Sequence, residues 1–157
     1  MPIQIFDANT NQVKNVTKIS KTDLEWRQLL SNDQYLVTRK GGTEEPRSGK
    51  YYAFGDNGIY QCVCCGTDLF YSRDKFDSGT GWPSFTTPVS ELNIRTRTDR
   101  KMFSRRIEVI CSRCDAHLGH LFQDGPLPSK HRYCINSAAL SFRPVPIKTA
   151  LPDSSID

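Results

Sequence analysis

The sequence predicts a mainly β domain of antiparallel strands, preceded by short helices and held together by one metal ion. After Gly49 the chain consists of short β-branched or aromatic runs bounded by Gly, Asp-Asn, Asp-Gly and Pro, a pattern typical of antiparallel strands. Four of the six cysteines form two Cys-x-x-Cys pairs, which indicates a metal site joining two distant hairpins. The runs expected to form strands are KYYAF, IYQCV, RRIEVIC, LGHLF and AALSFRP.

Length and composition fit one soluble domain. The chain has 157 residues, of which 37% are hydrophobic and 24% charged, enough to bury a core. No apolar run is as long as a membrane span, and the N-terminus lacks the basic start and apolar stretch of a secretory signal. We therefore expect a monomer in the cytoplasm or an equivalent reducing compartment. The net charge of +4 is scattered along the chain, which argues against a nucleic-acid partner.

Two segments before the strands carry helix signals. Thr22 followed by Glu25 forms a capping box, and the apolar residues after it predict a helix over residues 23–31. Ser31 is a second possible cap, so SNDQYLVTRKGG forms either a short helical turn or an extended arm. We expect a single domain over 1–157, with an N-terminal extension (1–18), a helical arm (19–42), a β core with the metal site (43–146) and a flexible tail (147–157).

The paired cysteines predict one structural Zn²⁺. Two cysteines separated by two residues can turn both sulfurs toward one ion, and Gly66 supplies the permissive backbone that such a turn needs. A redox Cys-x-x-Cys would favour a βαβ context, which the sequence does not show, and disulfides would favour an exported chain. The predicted ligands are Cys62, Cys65, Cys111 and Cys114.

Three further stretches carry reactive residue types: SGTGWPSF (78–85), HLGHLF (117–122) and RYCINS (132–137). Each has a structural interpretation when taken alone. The aromatic residues of the first could be core side chains, the two histidines of the second could be a metal pair or surface residues, and Cys134 could be a small buried hydrophobe. Their combination is what indicates a functional site.

The motifs GTEEP, CVCCGTDLF, KFDSGTGWPSF, CSRCDAHLGHLFQDGP and RYCINSAALSF occur in this order. From about Tyr35 to Phe142 the sequence resembles the methionine-R-sulfoxide reductases of the B type. The resemblance implies a β-tent-like core of two antiparallel sheets, a structural zinc, Cys134 as the nucleophile, and the R epimer of methionine sulfoxide in peptides or proteins as the substrate. The other implied active-site positions are Trp82, His117, His120, Arg132 and Asn136, with Asp124 and Phe142 as supports.

These residue types suit the reduction of a sulfoxide. A thiolate is the soft nucleophile that can attack the sulfoxide sulfur, and we expect Arg132, two residues from Cys134, to lower the pKa of that thiol if the segment is a strand. His120 and His117 can protonate the departing oxygen, and the amide of Asn136 can hold the substrate or the attacking group by hydrogen bonds. The face of Trp82 is an apolar wall for the substrate methyl group.

Regeneration of the nucleophile is where the sequence departs from a common family pattern. Many members have a resolving cysteine just before Gly-Trp-Pro, and this chain has Thr80 there. Cys64 lies between two predicted zinc ligands, so the sequence predicts that an external thiol attacks the sulfenic acid on Cys134. Thioredoxin, or glutaredoxin with glutathione, is the expected reductant. Gln123 and Ala139 are smaller departures that remove no assigned role.

Two other classes of function compete with this interpretation. A zinc-ribbon module for nucleic acid would explain the zinc cysteines and the positive charge, but it leaves Cys134, Gly-Trp-Pro and His-x-x-His without a role. A β-tent domain used only for ligand or degron recognition would keep the aromatic cage, but it would not need Cys134.

Overall fold

The computed structural model describes residues 2–101 and 104–145. Within them lie two helices, eleven strands and three short 3₁₀ turns, at Ser72–Asp74, Glu91–Asn93 and Ser137–Ala139. The helices are α1 (Asp23–Leu29) and α2 (Asn32–Lys40). The strands are β1 (Pro2–Asp7), β2 (Gln12–Thr17), β3 (Gly58–Cys62), β4 (Asp68–Tyr71), β5 (Lys75–Phe76), β6 (Ser84–Phe85), β7 (Ile94–Lys101), β8 (Ser104–Cys111), β9 (His117–Phe122), β10 (Arg132–Ile135) and β11 (Leu140–Pro144).

The strands form antiparallel sheets, so the predicted mainly β fold class is confirmed. One sheet has six strands in the order β5-β6-β10-β9-β8-β7, and a second has three strands in the order β11-β3-β4. A separate hairpin of β1 and β2, which was not predicted, lies in the N-terminal extension. The buried side chain of Asn93 ties this hairpin to the core, because it accepts a hydrogen bond from the Phe6 N–H and donates to the carbonyls of Phe6 and Asp68.

Both helices begin at the caps that the sequence indicated. Thr22 and Glu25 form the predicted capping box, and α1 ends at Leu29, slightly before the predicted limit, because Leu30 is already extended. Of the two alternatives for the following segment, the structure has the helix. Ser31 caps α2 in a second capping box, and the helix ends at Gly41, whose φ of 73° is the left-handed conformation that glycine adopts without strain.

Four of the five predicted runs contain a strand, and the prediction for KYYAF is wrong. Residues 51–53 form turns, with the amides of Tyr52 and Phe54 bonded back to the carbonyls of Gly49 and Tyr51. The aromatic residues that suggested a strand serve packing instead, because the Tyr51 ring meets Phe54 and Tyr60 edge to face. The predicted tail, 147–157, lies outside the described residues.

The core lies between the six-stranded and three-stranded sheets. Phe70 on β4 stacks on Phe85 of β6 with ring centroids 4.3 Å apart, and Tyr60 of β3 meets Phe85 at 5.1 Å. Tyr133 and Ile135 of β10 are also buried in this core. Because side chains alternate along a strand, Arg132 and Cys134 on β10 face the opposite side of the sheet.

Candidate active site

Cys134 lies on the face of β10 that points away from the core. Arg132 and Cys134 are half-buried on that face, so the expected placement of these two side chains on one side of a strand is confirmed. Cys134 pairs with His120 on β9 and with Ser84 on β6. The thiol is therefore held at the centre of the six-stranded sheet, where strands on both sides fix its backbone.

The thiol opens into a cavity of about 160 Å³. Five of the eight predicted catalytic and substrate-binding residues line it, and the other three, His117, Asp124 and Phe142, do not. The lining residues are Thr43, Thr80, Trp82, Arg106, Gly119, His120, Phe122, Arg132, Cys134 and Asn136. Its small size suits a group no larger than one side chain, and its apolar wall comes from Trp82 and Phe122.

A β-bulge brings the two histidines together. In a regular strand, residues three apart point to opposite faces. In β9, however, His117 pairs with Ile110 and Gly119 pairs with Val109, so Leu118 is an extra residue in the ladder. The rings of His117 and His120 consequently lie on one face with their centroids 5.4 Å apart.

His117 lies beneath His120 and outside the cavity lining. Its Nδ1 is 2.7 Å from Oε2 of Glu108, whose other oxygen accepts a hydrogen bond from Arg97 Nε at 2.7 Å. Burial raises the pKa of Glu108, but the hydrogen bonds from Arg97 and His117 outweigh it and leave the pKa below its usual range. The carboxylate therefore stays charged, and it fixes the orientation of the His117 ring.

His120 reaches the cavity itself. Its Nε2 lies 3.1 Å from Oδ2 of Asp99 on β7. Burial lowers the pKa of His120 below its usual value of 6.5, and the nearby charge of Arg106 adds to the effect, while the hydrogen bond with Asp99 opposes it. The free protein therefore holds a neutral imidazole beside the thiol at neutral pH.

Asp124 acts on the site through Arg132. Its carboxylate accepts two hydrogen bonds from the guanidinium, at 2.8 Å from Nε and 3.2 Å from Nη2, and the guanidinium also lies 4.4 Å from the centre of the Phe122 ring. Arg132 thus has a fixed position beside Cys134.

As expected, the charge and hydrogen bond of Arg132 lower the pKa of the Cys134 thiol, but burial has the larger and opposite effect. Burial raises the pKa of the Cys134 thiol above its usual value of 9.0, and the charge and hydrogen bond of Arg132 only reduce that rise. The carboxylates of Glu44 and Asp124 add to the rise. The sequence shows which charge neighbours the thiol, but it does not show how far the thiol is removed from water.

Phe142 does not form a wall of the cavity. Its ring lies in an aromatic cluster under the three-stranded sheet, 4.8 Å from Phe54 and 5.1 Å from Tyr60, measured between ring centroids. The aromatic residue that lines the cavity together with Trp82 is Phe122, and strand periodicity could have indicated it, because Phe122 lies two residues beyond His120 on β9. Thr80, identified as the position without a resolving cysteine, also lines the cavity.

Asn136 is almost completely buried, with 3% of its surface exposed. Its side chain bonds to the protein at both ends: Oδ1 accepts from the Glu44 N–H at 3.0 Å, and Nδ2 donates to the Leu118 carbonyl at 3.1 Å. One N–H of the amide is left for a group in the cavity.

The four predicted metal ligands form one cluster. Their sulfur atoms all lie within 4.8 Å of one another, and two of the pairs, Cys62 with Cys114 and Cys65 with Cys111, are 3.6 Å apart. A tetrahedral site with Zn–S bonds of about 2.3 Å needs sulfurs about 3.8 Å apart, so the cluster fits that ion. Four thiol donors closed into a mostly buried site are typical of a structural metal.

Two similar turns build this cluster. The Gly66 N–H donates to the Cys62 carbonyl at 2.8 Å, and the Asp115 N–H donates to the Cys111 carbonyl at 2.9 Å. Gly66 and Asp115 both have left-handed backbones, with φ of 79° and 64°, so the conformation predicted for Gly66 is confirmed. Cys64, between Cys62 and Cys65 in the sequence, is buried in the core, and none of the six cysteines, all of which lie within the described residues, forms a disulfide.

Comparison with known proteins gives consistent matches over most of the chain. A family model described as the SelR domain matches residues 30–144. A peptide methionine sulfoxide reductase MsrB from Herminiimonas arsenicoxydans is 54% identical over 129 residues, which are 82% of this chain and 94% of that protein. One from Hahella chejuensis is 53% identical over 125 residues, 80% of this chain and 90% of that protein. The chloroplastic peptide methionine sulfoxide reductase B1 of Oryza sativa subsp. japonica is 53% identical over 125 residues, 79% of this chain and 58% of that protein.

Among the described residues, neither helix has the length and apolar character needed to cross a membrane.

Proposed function

The chain belongs to the SelR-domain family of peptide methionine sulfoxide reductases, which are oxidoreductases, and from that premise we propose that it reduces the R epimer of methionine sulfoxide in peptides and proteins through Cys134. One observation carries the proposal. Cys134 is the only cysteine that lines the cavity formed by described residues, and it shares that cavity with His120, Arg132 and Trp82.

In the proposed reaction the sulfur of Cys134 attacks the sulfoxide sulfur as a thiolate. The sulfoxide oxygen takes a proton and passes to the cysteine, which becomes sulfenic acid, while the substrate leaves as methionine. The thiol is thereby oxidised by two electrons and the sulfoxide is reduced by two. Arg132 supports the attack because its positive charge favours the thiolate form of Cys134.

His120 carries the proton in this proposal. Its Cα partner across the β9–β10 ladder is Cys134, and its ring lines the same cavity as the thiol. A neutral imidazole can accept the proton that Cys134 releases and return it to the sulfoxide oxygen. His117 supports His120 in this role without lining the cavity, since its ring packs against that of His120 and is oriented by Glu108.

The two walls of the cavity support discrimination between epimers. The ring of Trp82 offers an apolar surface for the methyl group on the sulfoxide sulfur, and the remaining N–H of Asn136 and the guanidinium of Arg132 offer donors for polar groups. Because methyl and oxygen need walls of different chemistry, only one configuration at sulfur places both correctly relative to Cys134.

The described cysteines support regeneration by an external thiol. Thr80 occupies the cavity wall, and Cys64 is buried beside the four-cysteine cluster. We propose that thioredoxin, or glutaredoxin with glutathione, attacks the sulfenic acid, releases water and forms a mixed disulfide that a second thiol then resolves.

We propose Zn²⁺ as the ion of the four-cysteine cluster, held by Cys62, Cys65, Cys111 and Cys114. When bound, it would supply a structural crosslink between the turn after β3 and the turn after β8, and no chemistry at Cys134. The cytoplasmic location, the monomeric state and the single domain over 1–157 stay predictions.

The test is the reduction of separated R and S epimers of a peptide methionine sulfoxide with dithiothreitol. We expect reduction of the R epimer alone, and no activity in Cys134→Ser although its zinc content and melting temperature match those of the parent chain. Cys64→Ser is the matched control, because it removes a cysteine outside the cavity and should keep the activity. A folded, zinc-loaded parent chain that reduces neither epimer would contradict the proposal.

A further inference from the structure

We propose that Glu44 is the positioning residue of the cavity: its backbone fixes Trp82 and Asn136, and its carboxylate fixes its own backbone. This inference rests on the proposed function, since it assumes that Trp82 and Asn136 meet the substrate. Glu44 does not itself line the cavity, so its effect on the reaction passes through these two side chains.

The backbone of Glu44 contacts two side chains that line the cavity. Its carbonyl accepts a hydrogen bond from Nε1 of Trp82 at 3.0 Å, and its N–H donates to Oδ1 of Asn136 at 3.0 Å. Trp82 has a single polar side-chain atom, so this hydrogen bond decides how the indole is rotated. The same peptide segment therefore sets the distance between the apolar wall and the amide wall.

The segment around Glu44 has no regular structure of its own. Residues 41–45 lie between α2 and a turn. The amides of Gly41 and Gly42 still bond to the Leu36 carbonyl at the end of α2, but residues 43–45 belong to no helix or strand. The carboxylate supplies the missing anchor, because its two oxygens accept hydrogen bonds from the N–H groups of Ser137 and Ala138, each at 2.9 Å. Such charge-assisted hydrogen bonds are about twice as strong as neutral ones.

These contacts close a loop of interactions around the catalytic strand. Asn136 follows β10 directly and contacts the Glu44 backbone, while Ser137 and Ala138 contact its carboxylate. Glu44 is thus hydrogen-bonded both to the chain that directly follows the strand of Cys134 and to the indole of Trp82. Loss of the carboxylate removes the anchor and leaves the indole free to rotate.

Gly49 provides an independent test of the same anchor. A Cβ added at Gly49 would lie 2.5 Å from Oε2 of Glu44 and 2.2 Å from Oγ of Ser137, both far inside ordinary contact distance. Gly49→Ala should therefore displace the carboxylate while leaving Glu44 chemically intact.

The experiment compares Glu44→Ala, Glu44→Gln and Gly49→Ala with the control Glu45→Ala, all in a Trp26→Phe background. Glu45 is exposed and takes part in the described hydrogen bonds through its backbone carbonyl. The background leaves Trp82 as the only tryptophan of the chain, so its emission reports the position of the indole without any activity measurement. Zinc content and melting temperature are measured for every variant.

For Glu44→Ala we expect kcat/KM for the R epimer to fall by about 10- to 100-fold, mainly through a higher KM, because a misplacement of about 1 Å can cost that much. The emission of Trp82 should shift to the red, and its indole should become more accessible to quenching by acrylamide. Glu44→Gln should be partly rescued, since its amide keeps one acceptor oxygen but places a donor against the second N–H. Gly49→Ala should resemble Glu44→Ala, and Glu45→Ala should match the parent.

A purely structural role gives a different result. If Glu44→Ala melts at a lower temperature but keeps kcat/KM within twofold and leaves Trp82 emission unchanged, the proposal is overturned. If Glu44→Ala does not fold, the same two measurements, kcat/KM and Trp82 emission, are applied to Glu44→Gln and Gly49→Ala. The proposal is overturned if both quantities stay at the parent's values in these variants. If the parent chain reduces neither epimer, the proposed function fails, and the emission of Trp82 alone then decides whether Glu44 positions the indole.

Discussion

Gly119 allows β9 and β10 to approach closely at Cys134, and its replacement by alanine tests how strictly the proposed reaction depends on that approach. Gly119 faces Ile135 across the ladder and directly precedes His120. A Cβ at this position would lie 1.9 Å from the carbonyl oxygen of Cys134 and 3.0 Å from the Cα of Ile135. Both obstacles are backbone atoms, which cannot rotate away.

The size of the effect follows from these distances. Ordinary contact begins at 3.4 Å, so the backbone at Cys134 must move by about 1.5 Å to admit the methyl group. A displacement of about 1 Å can reduce a rate by about 100-fold, and overpacking typically costs about 1–3 kcal/mol of stability. We expect kcat/KM of Gly119→Ala to fall at least about 100-fold, and the melting temperature to fall by about 2–4 °C for each kcal/mol.

Gly55→Ala is the matched control, because a Cβ there meets no atom within 4 Å. The assay is single-turnover formation of methionine from an R-sulfoxide peptide, measured beside a thermal melt for each variant. We expect Gly55→Ala to keep the parent's rate and to melt at the same temperature or slightly higher, since alanine has less freedom than glycine in the unfolded chain. A Gly119→Ala variant with the parent's melting temperature and rate would refute the argument.

Three other predictions follow from the site. The pKa of His120 lies below 6.5 and that of Cys134 above 9.0, so a reaction that needs one proton on the pair should show a plateau in kcat/KM between them. Single-turnover rates should fall at acid pH when His120 becomes protonated, with a midpoint below pH 6.5, and at alkaline pH when Cys134 loses its proton, with a midpoint above pH 9.0. An alkaline fall with a midpoint below pH 9.0 would contradict the raised pKa of Cys134. Metal analysis should find one Zn²⁺ per chain, lost in Cys62→Ser and retained in Cys64→Ser, whereas equal loss in both would argue against the predicted ligand set. Thr80→Cys should form a disulfide with Cys134 after one turnover, detected by mass spectrometry, and Thr80→Ser should not.

The local signals in the sequence predicted local structure well. Capping boxes at Thr22 and Ser31 are made by residues three positions apart, so the helix starts depend only on neighbouring residues. The cysteine pairs are equally local, and each of their turns closes within five residues. KYYAF failed because aromatic residues favour burial in general, and a strand requires in addition a partner edge that no local pattern reveals.

Parts of the site depend on contacts between distant segments, and these could not be predicted from local patterns. The spacing of His117 and His120 places them on opposite faces of a regular strand, and only the bulge at Leu118 brings the rings together. The partners that orient the two rings, Glu108 and Asp99, come from β8 and β7. Similarity to a family indicates that both histidines belong to the site. The physical reason that their rings lie together is the register shift between β8 and β9.

The raised pKa of Cys134 changes how the thiol should be understood. A lowered pKa would leave a permanent thiolate open to any oxidant that enters the cavity. Burial instead keeps the proton on sulfur, while Arg132 limits the cost of removing it and His120, neutral for the same reason of burial, is ready to receive it. In the proposed reaction the thiolate and the protonated imidazole form together, when a sulfoxide oxygen is present to take the proton onward. Under that proposal burial, which opposes the charge on each group taken alone, couples the two groups into one proton-transfer unit.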